Sequence, residues 1–265
     1  MEQEKMVEPG MRMKLEKMVE PGMRMKPEKL VGPGKKAKPE KLVGPGKKTK
    51  PEKLVRSGKK NIVGVYLAAG SSRRMGTAKQ ALELAEGIHL GGIALLKALR
   101  CTHLQQVVVI VRDGDTLAWL PEEARHELES GRCRIVVCPE ASLGMAHSLR
   151  TGIQAAQELA AEGAMVMLAD QPFIEEEMLD GLIDAYKADA DYDYVASGDK
   201  GIPKPPVILG NGMWSAIASL EGDAGARALF HLPAFRGQII EAAELTFMDI
   251  DTVERYEEAK AIYKH

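Results

Sequence analysis

A glycine-bearing loop with two cationic side chains is the first feature of this chain whose residue types and spacing could do chemistry. It reads Leu67-Ala68-Ala69-Gly70-Ser71-Ser72-Arg73-Arg74-Met75-Gly76-Thr77-Ala78-Lys79. Small residues let the backbone approach a ligand closely, and successive amide N–H groups in such a turn form an anion nest. Arg74 and Lys79 add full positive charge where phosphates would lie. Two generic phosphate loops fail on spacing. A P-loop needs four residues between its glycines and a lysine directly after the second; here five residues separate Gly70 and Gly76, and Lys79 comes three later. The dinucleotide fingerprint G-x-G-x-x-G is absent. Carboxylates come from elsewhere in the chain. Asp170 closes an apolar run, and Pro172 stops it. That position suits a carboxylate that holds a metal, and equally one that caps a helix beginning near Glu175-Glu176-Glu177. Asp251, just before Thr252 and a final helical pattern, is a second candidate with the same competing role; Asp249 reads as structural.

These residues need a frame that gathers them. Ile62–Ala68, Val107–Val111, Arg134–Cys138 and Ala164–Leu168 are short apolar runs rich in β-branched residues. Helical patterns over Gly91–Arg100, Ala146–Ala161 and Glu175–Lys187 lie between or after them. Buried strands alternating with helices predict a mostly parallel sheet covered on both faces. Right-handed crossovers then give a three-layer, Rossmann-like α/β domain whose ligands sit at the carboxyl ends of the strands. Further strand-like runs follow at Tyr192–Ala196, Pro206–Leu209 and Leu245–Met248, with a closing helix around Thr252–Tyr263.

Charge divides the chain. Residues 1–60 hold 18 Lys and Arg against 8 Glu, and the rest holds 18 basic against 30 acidic residues, giving +10 and −12. The basic part is a repeat: Glu4-Lys5-Met6-Val7-Glu8-Pro9-Gly10 recurs, with variation, from Glu16, Glu28, Glu40 and Glu52. A 12-residue unit broken by Pro-Gly buries too little surface to offset its ordering entropy, so residues 1–60 are expected to be a disordered basic tail and 61–265 the folded domain. The alternative for the tail is an electrostatic tether to an acidic partner or RNA. A folded part at −12 argues against general nucleic-acid binding by that part. Three cysteines, Cys101, Cys133 and Cys138, without a C-x-x-C pair suit a reducing cytoplasm better than a disulfide framework or a thiolate zinc site. No apolar run reaches the length of a membrane span, and the Glu-rich N-terminus lacks the apolar core of a secretory signal.

Taken whole, the first loop resembles L-A-A-G-x-(G/S)-x-R-M-G-x-x-K, the signature of the MobA-like NTP transferases. Within them it is most similar to the molybdenum cofactor cytidylyltransferases, including accessory proteins of xanthine dehydrogenase. Four further strings match in the family's order: Cys138–Arg150 with its Gly144-Met145 and Ser148-Leu149, Leu168-Ala169-Asp170-Gln171-Pro172, Gly222-Asp223-Ala224-Gly225-Ala226-Arg227, and Asp249-Ile250-Asp251-Thr252. The resemblance covers nearly all of residues 62–263 and none of the repeats. It implies a nucleotidyltransferase that moves CMP from CTP to molybdopterin carrying molybdenum, with release of pyrophosphate. It further implies a molybdenum hydroxylase as the partner served. Lys79, Arg74 and Asp170 would be catalytic, and Asp170 and Asp251 would hold Mg2+ or Mn2+. Leu67, Ala68, Ala69, Gly70, Ser71, Gly144, Met145 and Ser148 would contact the nucleotide. An alanine in the first loop tends to accompany cytidylyl transfer, and L-A-G-G guanylyl transfer. Asp223 and Arg227 would fix a loop near the acceptor, or pair with each other. His147 invites a general-base reading, against which a phosphate nucleophile is already ionised near neutral pH and needs no base. One departure stands out: many cytidylyltransferases carry Gly-His-Pro where this chain reads Lys204-Pro205-Pro206, which leaves the acceptor contacts there unassigned. The competing functions are transfer to a sugar or polyol phosphate, and a non-catalytic carrier of the molybdenum cofactor.

Overall fold

Short, mostly apolar runs form strands, and four of them lie side by side in parallel on one side of the sheet. They are β1 (Ile62–Leu67), β4 (Val107–Arg112), β5 (Cys133–Cys138) and β6 (Gly163–Leu168). The structure, a computed structural model, describes residues 60–70 and 78–264. The repeats before Lys60, and Ser71 and Arg74 in the first loop, lie outside the described residues. A small hairpin, β2 (Glu83–Ala85) and β3 (Ile88–His89), leads into α1 (Leu90–Arg100). Then come α2 (Glu122–Ser130), α3 (Met145–Glu158) and α4 (Glu176–Ala188). The last third holds β7 (Tyr194–Asp199), β8 (Ile202–Gly210), α5 (Trp214–Ala218), β9 (Gly237–Glu241) and α6 (Val253–Tyr263).

The seven-stranded sheet has the order β5-β4-β1-β6-β8-β7-β9. β1 runs parallel to β4 and β6, β4 to β5, and β7 to β9; β8 is antiparallel to both of its neighbours. The mostly parallel α/β expectation therefore holds. Side chains along each strand alternate between two cores. Ile62, Tyr66, Val107, Val109 and Met165 pack with α1 and α4 on one face. Val63, Val65, Val108, Ile110 and Val166 pack with α3 and α5 on the other. Gly152 lets α3 lie close on β1, since a Cβ there would stand 2.3 Å from a Val65 methyl. A third, smaller cluster seats α6 against the hairpin through Leu84, Leu90, Ile93, Ile250 and Ala259.

The sequence reading needs correction near the C-terminus. Leu245–Met248, expected as a strand, lies in a 3-10 turn over Glu244–Phe247 that buries Phe247. The edge strand is β9, whose two adjacent apolar residues gave no periodic signal. Pro206–Leu209 proves to be the second half of the longer β8. There the bulge at Ala196/Ser197 accommodates prolines that cannot donate ladder bonds. The buried Ser197 hydroxyl lies 2.8 Å from the Lys204 carbonyl and 2.9 Å from that of Pro206. The three cysteines are buried and unpaired, and burial pushes the Cys101 and Cys133 thiols up to about 11.

Candidate functional site

The carboxyl ends of β1 and β6 and the start of α3 enclose a cleft of about 690 Å³. β1 delivers Leu67, Ala69 and Gly70 to it, and β6 delivers Leu168, Ala169 and Asp170. Lys79 enters on a short 3-10 turn, Lys79–Ala81. The adjoining Gln80 is 3% exposed, and its Nε2 donates to the Ala68 carbonyl at 2.7 Å. That bond ties the two described ends of the first loop together. Ala68 departs from the expected contact role. It is 1% exposed and its methyl joins the core with Tyr66, because neighbouring residues of an extended segment face opposite sides.

At the cleft floor Lys79 Nζ donates to an Asp170 carboxylate oxygen, and also to Asp251 Oδ1 at 2.8 Å. Burial works to lower the Lys79 pKa, but the charges and hydrogen bonds of Asp170 and then Asp251 outweigh it and hold the ammonium above the usual lysine range. Both competing capping roles are set aside by geometry. The residue capping α4 is Glu175, without a side-chain bond, so Asp170 caps nothing. Thr252 caps α6 by accepting from the Arg255 amide, which leaves the Asp251 carboxylate to Lys79. Asp249 also opens onto the cleft. Its side chain is exposed there, yet the surrounding protein strips away water and Asp170 adds repulsion, so its carboxyl is raised above the ordinary range.

The opposite wall is the turn that leads into α3. Gly144, at φ 128°, begins α3, and a Cβ there would stand 2.2 Å from the Gly222 carbonyl oxygen. The Ala146 amide donates to that oxygen at 2.9 Å. The second loop is thereby locked to the Gly222-Asp223 turn, and Asp223 lines the cleft with Met145 and Ser148. Ser148 is 6% exposed and sits in the second turn of α3 rather than at its cap. His147 lies 3.0 Å from Glu140 and 3.0 Å from Arg150. An adjoining cavity of about 570 Å³ shares Asp249 and Asp251 with the first. Its wall carries Lys204, 3.2 Å from Asp199 and over the Phe247 ring at 4.9 Å, and Arg255.

Of the residues read from sequence, Leu67, Ala69, Gly70, Lys79, Gly144, Met145, Ser148, Asp170 and Asp251 therefore meet in one cleft. Gln80, Gln171 and Asp249 carried no functional assignment of their own, although each lies within or beside a motif string, and Asp223, expected near the acceptor, lines this cleft. Among the described residues no helix is long and apolar enough to cross a membrane.

Comparison with known proteins identifies the family and the fold. The model of the MobA-like NTP transferase domain matches residues 64–239. The chain is 33% identical over 199 residues to the purine catabolism protein PucB of Bacillus subtilis (strain 168), covering 74% of this chain and 94% of the relative. It is 30% identical over 200 residues to a nicotine blue oxidoreductase of Paenarthrobacter nicotinovorans, covering 73% and 94%. The crystal structure of molybdopterin-guanine dinucleotide biosynthesis protein A from Archaeoglobus fulgidus superposes with a TM-score of 0.53 at 19% identity, covering 76% and 98%, which shows a shared fold. With the domain match covering most of the sheet, the first loop and Asp170, the chain belongs to the MobA-like NTP transferase family and is a nucleotidyltransferase.

Proposed function

We propose that this protein transfers CMP from CTP to a phosphate of the molybdenum–molybdopterin cofactor, releasing pyrophosphate and serving a molybdenum hydroxylase such as xanthine dehydrogenase. The observation that carries the reading is the Lys79 ammonium held between Asp170 and Asp251 at the strand ends. In the reaction an acceptor phosphate oxygen bonds to the α-phosphorus, and the bond from that phosphorus to the bridging oxygen breaks. Pyrophosphate leaves with the electron pair. The acceptor phosphate, with a second pKa of about 6, is ionised near neutral pH and needs no general base. The protein's task is positioning and charge stabilisation.

Lys79 supplies charge to the phosphates, with Arg74 assigned beside it from the motif. Among the described residues no group of three or more His, Cys, Asp or Glu side chains is set to hold a metal unaided. Magnesium or manganese asks for less: one or two carboxylates, with phosphate oxygens and waters completing the shell. Asp170 and Asp251, which already share one cation, fit that requirement, and the metal they hold would neutralise and orient the triphosphate. Lys79 and a metal compete for the same oxygens, and the triphosphate gives the lysine a new partner. Backbone at Ala69, Gly70, Gly144 and Met145, with the Ser148 hydroxyl, would contact ribose and base. The adjoining cavity, with Lys204 and Arg255, would take the acceptor. In this reading residues 61–265 are the transferase domain of a cytoplasmic protein and residues 1–60 a basic tail outside the chemistry.

The names of two similar proteins support the acceptor class, one through purine catabolism and one through molybdopterin dinucleotide synthesis. The deciding assay measures pyrophosphate release from CTP with magnesium, with and without the molybdenum–pterin acceptor. Turnover should require the acceptor and favour CTP; equal rates with GTP reject the base assignment, and turnover with sugar or polyol phosphates instead rejects the acceptor. The name of the second relative suggests a redox reading, which predicts oxidation of a reduced nicotinamide by a dye acceptor without CTP.

A further inference from the structure

Asp170 follows β6, and Asp251 precedes α6, so chain order alone does not fix the gap between them. Two bonds between their loops do. The Ile250 amide donates to the Asp170 carbonyl at 3.1 Å. One residue further on each side, Gln171 Nε2 donates to Asp249 Oδ1 at 2.9 Å. Ile250 itself is fully buried, which anchors the middle of the Asp249-Ile250-Asp251 loop. Its outer carboxylate could still swing, and like charge on Asp170 and Asp251 pushes it outward. Gln171 opposes that swing. The side chain is 2% exposed, and its Oε1 is buried without a partner. An apolar residue of similar size would leave no orphaned acceptor at this position. What the amide gains for that penalty is the bond to Asp249.

We infer that Gln171 is a positioning residue: by holding Asp249 it sets the separation of Asp170 and Asp251, and so the geometry of the cation they share. The inference rests on the metal-carboxylate reading proposed above. Gln171 touches neither carboxylate of the pair and no reacting atom; it acts through the loop it clamps.

The test compares full-length wild type with Gln171→Leu and with the reversed pair Gln171→Glu/Asp249→Asn. The reversed pair keeps the net charge and the hydrogen bond, with the donor moved to residue 249. Two readouts are taken: Mn2+ titration without nucleotide, followed by electron paramagnetic resonance, and steady-state pyrophosphate release. Gln171→Leu should weaken Mn2+ binding about tenfold and lower kcat by a similar factor, the range seen when an outer partner of a metal ligand is removed. KM for the nucleotide should move less than about threefold, because the β1 and α3 walls are untouched. The reversed pair should return Mn2+ binding and kcat to within about threefold of wild type. Should Gln171→Leu fail to fold in a thermal melt, Gln171→Asn, whose amide is one methylene shorter, replaces it with the same expectation. A Gln171 variant equal to wild type in both readouts overturns the inference, as does a reversed pair no better than the single substitution. A wild type that neither binds Mn2+ nor turns over rejects the underlying metal reading as well, and so separates the two failures.

Discussion

The two cavities that meet at Asp249 and Asp251 are built by different means. The larger is framed by the ends of β1 and β6 and by the start of α3, which is locked to the Gly222 carbonyl. The smaller is lined by side chains on β7, β8, the Glu244–Phe247 turn and α6, among them Lys204, Asp199 and Arg255. Strand ends and a locked turn are fixed by the fold itself, and such a frame suits a ligand whose phosphates and ribose never vary. A side-chain wall can be retuned by single substitutions, and it suits an acceptor that differs between relatives. On this view the first cavity defines the reaction and the second selects who receives the nucleotide.

Substitutions in the first cavity should therefore damage turnover for every substrate. Lys79→Ala removes the only described cation on the cleft floor and should lower kcat about 10²–10³-fold, the loss typical of a fixed transition-state stabiliser. It should not weaken Mn2+ binding in the absence of nucleotide, because the ammonium competes for the same two carboxylates. A variant that loses turnover and metal affinity together would show that Lys79 props up the carboxylates instead. Gly144→Ala tests the locked turn before α3. Its Cβ has no room beside Gly222, and φ 128° strains any L-residue. Strain of this kind costs about 1–3 kcal/mol. For a domain of this size the melting temperature should fall by roughly 2–4 °C per kcal/mol, with a raised KM for the nucleotide.

The same contrast explains how much could be read from the sequence. The first cavity was legible because its strands are continuous apolar runs and its loops carry glycine and charge at fixed spacing. Lys79, Asp170 and Asp251 were all named from those strings, and the cleft brings them together. What sequence left open was the choice between capping and ligation, and it took Thr252 at the head of α6 to free Asp251. Ala68 was misplaced because a motif string does not say which side of an extended segment faces the ligand. The second cavity was hardly legible. β9 has too few apolar residues for a period, Leu245–Met248 has the composition of a strand but turns, and the Lys204 contacts with Asp199 and Phe247 join three separate segments. Gln171 was invisible as a functional residue because its partner arrives from far along the chain.

Lys204→Ala should sharpen the division of labour. Its ammonium is partly exposed, and its bridge to Asp199 contributes no more than about 1 kcal/mol, so the fold should hold. If the second cavity takes the acceptor, KM for the acceptor rises about tenfold, the equivalent of one charge-assisted contact, and the CTP-induced thermal shift is unchanged. Equal loss of CTP and acceptor affinity would merge the two cavities into one functional unit.

The smallest effect is expected at the other end of the described chain. A protein that starts at Lys60 keeps every described contact, including Lys60 Nζ to the Tyr186 carbonyl at 2.7 Å and over the Tyr186 ring at 4.0 Å. Its pyrophosphate release from small-molecule substrates should match the full chain within about twofold, since 18 of the 36 basic residues lie in 1–60 but none of them was assigned to either cavity. Removing Lys60 as well should lower the melting temperature slightly, because a cation over an aromatic face contributes about 0.5–2 kcal/mol. That modest loss would mark residue 60 as the functional start of the catalytic unit. A several-fold fall in turnover on removing residues 1–59 alone would instead bring the basic repeats into the chemistry, and the division between a self-sufficient reaction cavity and a tunable acceptor cavity would have to be redrawn.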